Sequence, residues 1–264
     1  MDGLLIDSED LYTLCTNTVL REYGRPDLPW SIKSQLQGRP APEASRIFRE
    51  WAQLPVPAEE YHKRTAELQL QYFPNCKPLP GVPELLENLG RKTSPKVHIA
   101  LATSSQKSNF LLKTQKLQDL FSIFLSEQRV LGDDPRIPKG KGKPAPDIYL
   151  VALETINQSI REANKVDGTE QEPEIRPEQC LVFEDSVPGV EAGRRAGMQV
   201  VWCPHPGLLN EYKGREKEVL AGITGVSDSQ DDKKMQPGMI DDGWGRLFES
   251  LTTFPYADYG IHVR

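Results

Sequence analysis

Three short apolar runs constrain the fold of this chain most. Residues 97–102, 180–183 and 200–203 are apolar almost throughout, with His98 the exception in the first. None shows the period of two that marks a half-exposed strand. Runs of this kind suit strands buried on both faces, as in a parallel sheet covered by helices. The spacing around them agrees. Helical periodicity is read over 82–92, 105–117, 146–156 and 187–196, with a further short strand expected at 123–125. The predicted class is therefore α/β.

The first third has a different rhythm. Helical spacing is read over 9–24, 31–36, 43–52 and 58–73, with no strand signal between them. Residues 74–81 hold three prolines and a glycine and read as a linker. Polar stretches at 157–177 and 226–237 read as surface loops, 244–254 as a last helix, and the aromatic tail 256–264 as a segment that docks on the body. A length of 264 residues suits one large domain or two unequal ones. The net charge of −6 argues against a nucleic-acid partner, which needs a basic face. No apolar run approaches the roughly 20 residues that span a bilayer, and the acidic start is unlike a signal peptide. The four cysteines, Cys15, Cys76, Cys180 and Cys203, show no metal-type spacing, so reduced thiols in a cytoplasmic protein are expected.

Chemistry-bearing residues gather where strands are expected to end. Met1-Asp2-Gly3 follows this pattern, as do Thr103-Ser104-Ser105 after the first run and Glu184-Asp185 after the second; Lys143 lies between Gly142 and Pro144. Ligands of open parallel sheets bind beyond the carboxyl ends of the strands, so these groups should meet at one edge. A hydroxyl, a lysine and several carboxylates together suit a phosphate site with Mg²⁺, a hard cation that favours oxygen ligands. Each residue also has a bland reading. Asp2-Gly3 is ordinary turn chemistry, Thr103 or its neighbouring serines suit a helix cap, and Lys143 stands near Lys139 and Lys141 as one more solvated charge. Glu184-Asp185 is the least bland, because adjacent buried carboxylates repel unless a cation holds them.

In this order the motifs resemble the haloacid dehalogenase-like hydrolase superfamily, in the branch with a helical cap, and most closely its pseudouridine-5′-phosphatase-like members. The closer match is carried by 100–105, 130–135, 180–185 and 189–192. β-Phosphoglucomutases and 2-deoxyglucose- or glycerol-phosphate phosphatases share the architecture. The resemblance implies a Rossmann-like core of residues 1–8 and 78–264 and an inserted all-helical cap of residues 9–77. It implies a Mg²⁺-dependent phosphatase of a small phosphorylated sugar or nucleotide, with pseudouridine 5′-phosphate the first candidate. The expected protein is a monomer that engages neither nucleic acid nor membrane. In the family's Asp-x-Asp-Gly motif the first carboxylate attacks phosphorus and the second serves as acid and base. Asp2 matches the second, so the nucleophile is expected immediately before Met1. Thr103, Ser104 and Lys143 are then expected on the phosphate, with Lys143 also in the catalytic set, and Asp2 (through its carbonyl), Glu184 and Asp185 on the metal. Glu9 and Arg39 are expected on the leaving group. A catalytically silent phosphate-binding protein and a sugar-phosphate mutase are the alternative expectations.

Overall fold

The computed structural model describes residues 1–37, 41–166, 171–224 and 237–264, without the side chains of 41–43. A tight turn at the start leads into four helices, α1 (Ser8–Glu22), α2 (Trp30–Leu36), α3 (Ala41–Ala52) and α4 (Ala58–Tyr72). Cys15 and Val19 on α1 meet Leu68 on α4, while Leu20 meets Phe48 and Ala52 on α3. The three- and four-residue spacing of these side chains is why the segment is helical.

Helix α5 (Val82–Arg91) follows, then the strands β1 (Leu101–Ala102) and β2 (Arg129–Val130), which pair in parallel. Between them lie α6 (Lys107–Lys113) and α7 (Gln118–Phe121). Helix α8 (Asp147–Ala163) leads to β3 (Leu181–Glu184), α9 (Val187–Arg195) and β4 (Gln199–Trp202); α10 (Pro206–Glu211) and α11 (Glu216–Ala221) precede β5 (Gly245–Leu247). Strands β3, β4 and β5 form a second parallel sheet in that order. One apolar cluster joins the N-terminal turn, α5, Phe110, Phe121, Val201 and Phe254; another joins α8, α9 and the inner residues of β3 and β4. The class is α/β, with helices packed on parallel sheets.

Five expectations change. The strand expected at 97–102 pairs only over Leu101–Ala102, and the helix expected from 105 begins at Lys107. The strand expected at 123–125 lies instead at Arg129–Val130, because Phe121 and Phe124 turn the chain inward beside Phe110. Helix α8 runs seven residues past the expected end at 156, because Ile160 continues its buried face. Asn157 binds the returning backbone at Ile175 through both its amide nitrogen and its oxygen. The helix expected at 244–254 gives way to β5, since β4 presents a free edge that Gly245–Leu247 pairs with. The tail docks as expected: Arg264 N–H donates to Lys92 O at 2.8 Å, and Tyr256 and Tyr259 pack on the core.

Candidate active site

The N-terminal turn is built from backbone. Met1 O accepts from Leu5 N–H at 2.8 Å, and Gly3 N–H donates to Ile6 O at 3.0 Å. Gly3 has φ +66°, and a Cβ there would strike Asp185 and Glu9, so glycine is required on both counts. The turn holds Asp2, whose Oδ1 accepts from Ser8 Oγ at 2.6 Å and from Lys113 Nζ at 2.5 Å. Burial alone would raise the Asp2 carboxyl, but Lys113 and the amino terminus outweigh it and hold its pKa below the ordinary value. The Met1 amino group is buried in the same field, which includes Lys143, Glu184 and Asp185.

The end of β3 carries the acidic pair. Glu184 is saturated: Oε1 accepts from Lys143 Nζ and from Tyr149 Oη (2.6 Å), and Oε2 accepts from Asp185 N–H, Ser186 N–H and Ser186 Oγ at 3.0–3.1 Å. Burial opposes its ionisation, yet the Lys143 charge, the amino terminus and these hydrogen bonds bring its pKa down to about 2. Asp185 is the reverse case. Burial, then the charges of Glu184 and Glu9, push its pKa well above the ordinary range. Its Oδ2 accepts from Gln37 Nε2 at 3.2 Å, and its carbonyl from Trp202 Nε1 at 3.0 Å. A buried carboxylate so thinly supplied with donors is a place for a cation.

Thr103 follows β1. It is buried, its N–H donates to Val130 O at 3.0 Å, and its Oγ1 accepts from Ser105 N–H at 3.2 Å. Ser104 is exposed, whereas Ser105 is buried and accepts from Lys113 Nζ at 2.7 Å. Glu9 stands at the start of α1, paired with Lys33 at 3.1 Å. Arg39 lies outside the described residues.

The structure thus brings together Asp2, Lys143, Glu184 and Asp185 in one charge field, with Glu9 facing Asp185. Sequence reasoning missed Lys113, Tyr149, Lys33 and Gln37. A signal for Lys113 exists: Phe110, Lys113, Thr114 and Leu117 share one helical stripe, so this lysine sits where an apolar residue is expected. Among the described residues no three His, Cys, Asp or Glu side chains form a ready-made metal cage. Mg²⁺ needs fewer, since it takes one or two carboxylates and completes its shell with waters and phosphate oxygens.

The fold and site define the class: an α/β protein with carboxylates and buried lysines, Lys113 and Lys143 among them, gathered beside the ends of parallel strands. The family model for haloacid dehalogenase-like hydrolases matches residues 1–203, and the chain belongs to that family. A probable pseudouridine-5′-phosphatase of Saccharomyces cerevisiae is 42% identical, covering 84% of this chain and 87% of its own length. A (DL)-glycerol-3-phosphatase of Arabidopsis thaliana is 34% identical over 84% of this chain and 68% of its own length. The crystal structure of a putative β-phosphoglucomutase from Thermotoga maritima is 32% identical, with a TM-score of 0.55 over 80% of this chain and 88% of that one.

Proposed function

We propose that the chain is a Mg²⁺-dependent phosphatase of small phosphorylated sugars or nucleotides, with pseudouridine 5′-phosphate the first substrate to test. The observation that carries this reading is the seating of the N-terminal turn against the acidic pair: a Cβ on Gly3 would strike Asp185, and the neighbouring Glu184 holds Lys143. A residue joined to the Met1 nitrogen would enter the field of Lys143 and Asp185. This is where the attacking carboxylate of an Asp-x-Asp-Gly motif belongs.

In this reading Thr103 and Lys143 hold the phosphoryl oxygens, and Lys143 offsets the charge that gathers on them during transfer. Exposed Ser104 contributes through its backbone. Asp185 and the Asp2 carbonyl would hold the metal, with Glu184 positioning Lys143; the metal would supply further neutralisation of phosphoryl charge. Asp2 is the acid and base of this reading: in its protonated form the carboxyl gives its proton to the leaving oxygen, and it regains one from the water that cleaves the aspartyl-phosphate. Residues 1–8 and 78–264 act as the core and 9–77 as a cap, from which Glu9 and Arg39 meet the leaving group. The four free thiols, Cys15, Cys76, Cys180 and Cys203, favour a reducing cytoplasm. The net charge of −6 supports a partner other than nucleic acid, and the protein is read as a monomer that acts away from membranes.

The test is phosphate release by a form extended ahead of Met1 with an apolar strand ending in aspartate, supplied with Mg²⁺ and pseudouridine 5′-phosphate, glycerol 3-phosphate or hexose phosphates. Release is expected, with a loss of at least about 100-fold in kcat on Lys143→Met. No release from any ester would leave the silent phosphate-binding reading, and phosphorus migrating within a hexose phosphate would make the protein a mutase.

A further inference from the structure

Among the described residues Lys113 is the most deeply buried charge that this chemistry leaves unused; its side chain is 0% exposed. Its three acceptors come from three separate segments. Asp2 Oδ1 lies at 2.5 Å in the N-terminal turn, Ser105 Oγ at 2.7 Å in the loop after β1, and Tyr12 Oη at 3.2 Å on α1. The rings of Tyr12 and Phe73 flank the ammonium at 5.0 and 5.4 Å. An ammonium has three N–H donors, and all three are used, so none remains for a substrate.

Resting on the phosphatase reading, we propose that Lys113 is a positioning residue that fixes which oxygen of Asp2 exchanges the proton with the leaving group. Lys113 and Ser8 both bind Oδ1. With that oxygen occupied twice, Oδ2 is the one left to meet the leaving group and later the water. The carboxylate cannot rotate without breaking both bonds. Because Tyr12 belongs to α1 and Ser105 to the loop that carries Thr103, the same ammonium registers Asp2 against the proposed cap and against the phosphate-binding loop. A lysine that merely neutralised a buried carboxylate would need neither of those further partners.

The experiment is steady-state kinetics on the extended, Mg²⁺-supplied form, comparing the parent with Lys113→Met and Lys113→Arg, each checked for a cooperative melt. For Lys113→Met, kcat is expected to fall about 100-fold, the scale of a misaimed catalytic group, with KM within about threefold. Lys113→Arg keeps the cation but presents it as a planar fork, so it should recover part of the loss, to about tenfold below the parent. A folded Lys113→Met with kcat within about threefold of the parent overturns the proposal, and so does a loss carried wholly by KM, which marks a binding residue. If Lys113→Met does not fold, Lys113→Arg decides: a kcat drop at constant KM supports the proposal, and an unchanged kcat overturns it. A parent form without turnover refutes the phosphatase reading itself, so the two failures are told apart.

Discussion

Glu184 shows at the scale of one residue how the site is held. Its carboxylate takes five hydrogen bonds, from Lys143, Tyr149, Asp185 and twice from Ser186. Glu184→Gln preserves the shape but leaves Lys143 buried without its counter-charge, and removing one partner of a buried pair costs roughly 3–5 kcal/mol. The pH dependence follows from the depressed pKa. With a folded value of about 2 against an ordinary 4.5, the stabilisation is complete above pH 4.5 and disappears as pH falls through 2. Urea unfolding in chelator should therefore show the two proteins converging between pH 4.5 and pH 2. A constant gap across that range would show that the ion pair is not its source. The Glu184-Asp185 pair was visible in sequence as two carboxylates at a strand end. The division of labour between them was not, because it depends on Tyr149 and Lys143, which arrive from about forty residues away in the chain.

At the scale of the element, α9 is tied to the same pair. Ser186 caps its first turn, accepting from Gly189 N–H at 3.2 Å, with Pro188 set within that turn. Gly189 is helical, and in an ordinary helix Gly→Ala stabilises by about 1 kcal/mol. Here a Cβ would collide with the Glu184 carboxylate. That group is pinned by five donors and cannot move away without leaving buried partners unpaired, each worth about 1–3 kcal/mol. Gly189→Ala should therefore lower the unfolding free energy, opposite in sign to the propensity; a midpoint at or above the parent's in chemical denaturation would refute this. Most helices were legible from apolar spacing, and α1 and α9 begin within a residue of their expected starts. The strands were less so. β5 lies in a segment with helical spacing, and its extended form follows from the free edge of β4, which is created elsewhere in the chain.

At the scale of the whole molecule, one of the contacts between the first four helices and the sheet region is small, polar and aromatic. Trp30 on α2 stacks on His205 with ring centroids 4.6 Å apart, Lys33 Nζ lies 4.3 Å from the Trp30 ring centroid, and Gln37 reaches Asp185. Gly207 lies beneath the indole so closely that a Cβ would strike the ring. Gly207→Ala should push away α2 and Trp30, which packs at the edge of the second apolar cluster. Hydrogen exchange is expected to quicken in α2 and α10 while the global melt shifts by only a few degrees. Unchanged exchange in both helices would show that this contact does not hold them together.

The sequence alone was enough to place Thr103 and the Glu184-Asp185 pair at the ends of strands, since strand ends and turns are written in neighbouring residues. It also determined that helices precede the sheet, because periodicity records which side of a segment is buried. Only the tertiary structure decided what each buried side faces. It chose Ser105 over Ser104 for the interior, placed Lys113 against Asp2, and saturated Glu184 while leaving Asp185 short of donors. The physical reason is that a charge is governed by neighbours within a few ångströms, and in this chain those neighbours are mostly distant in sequence.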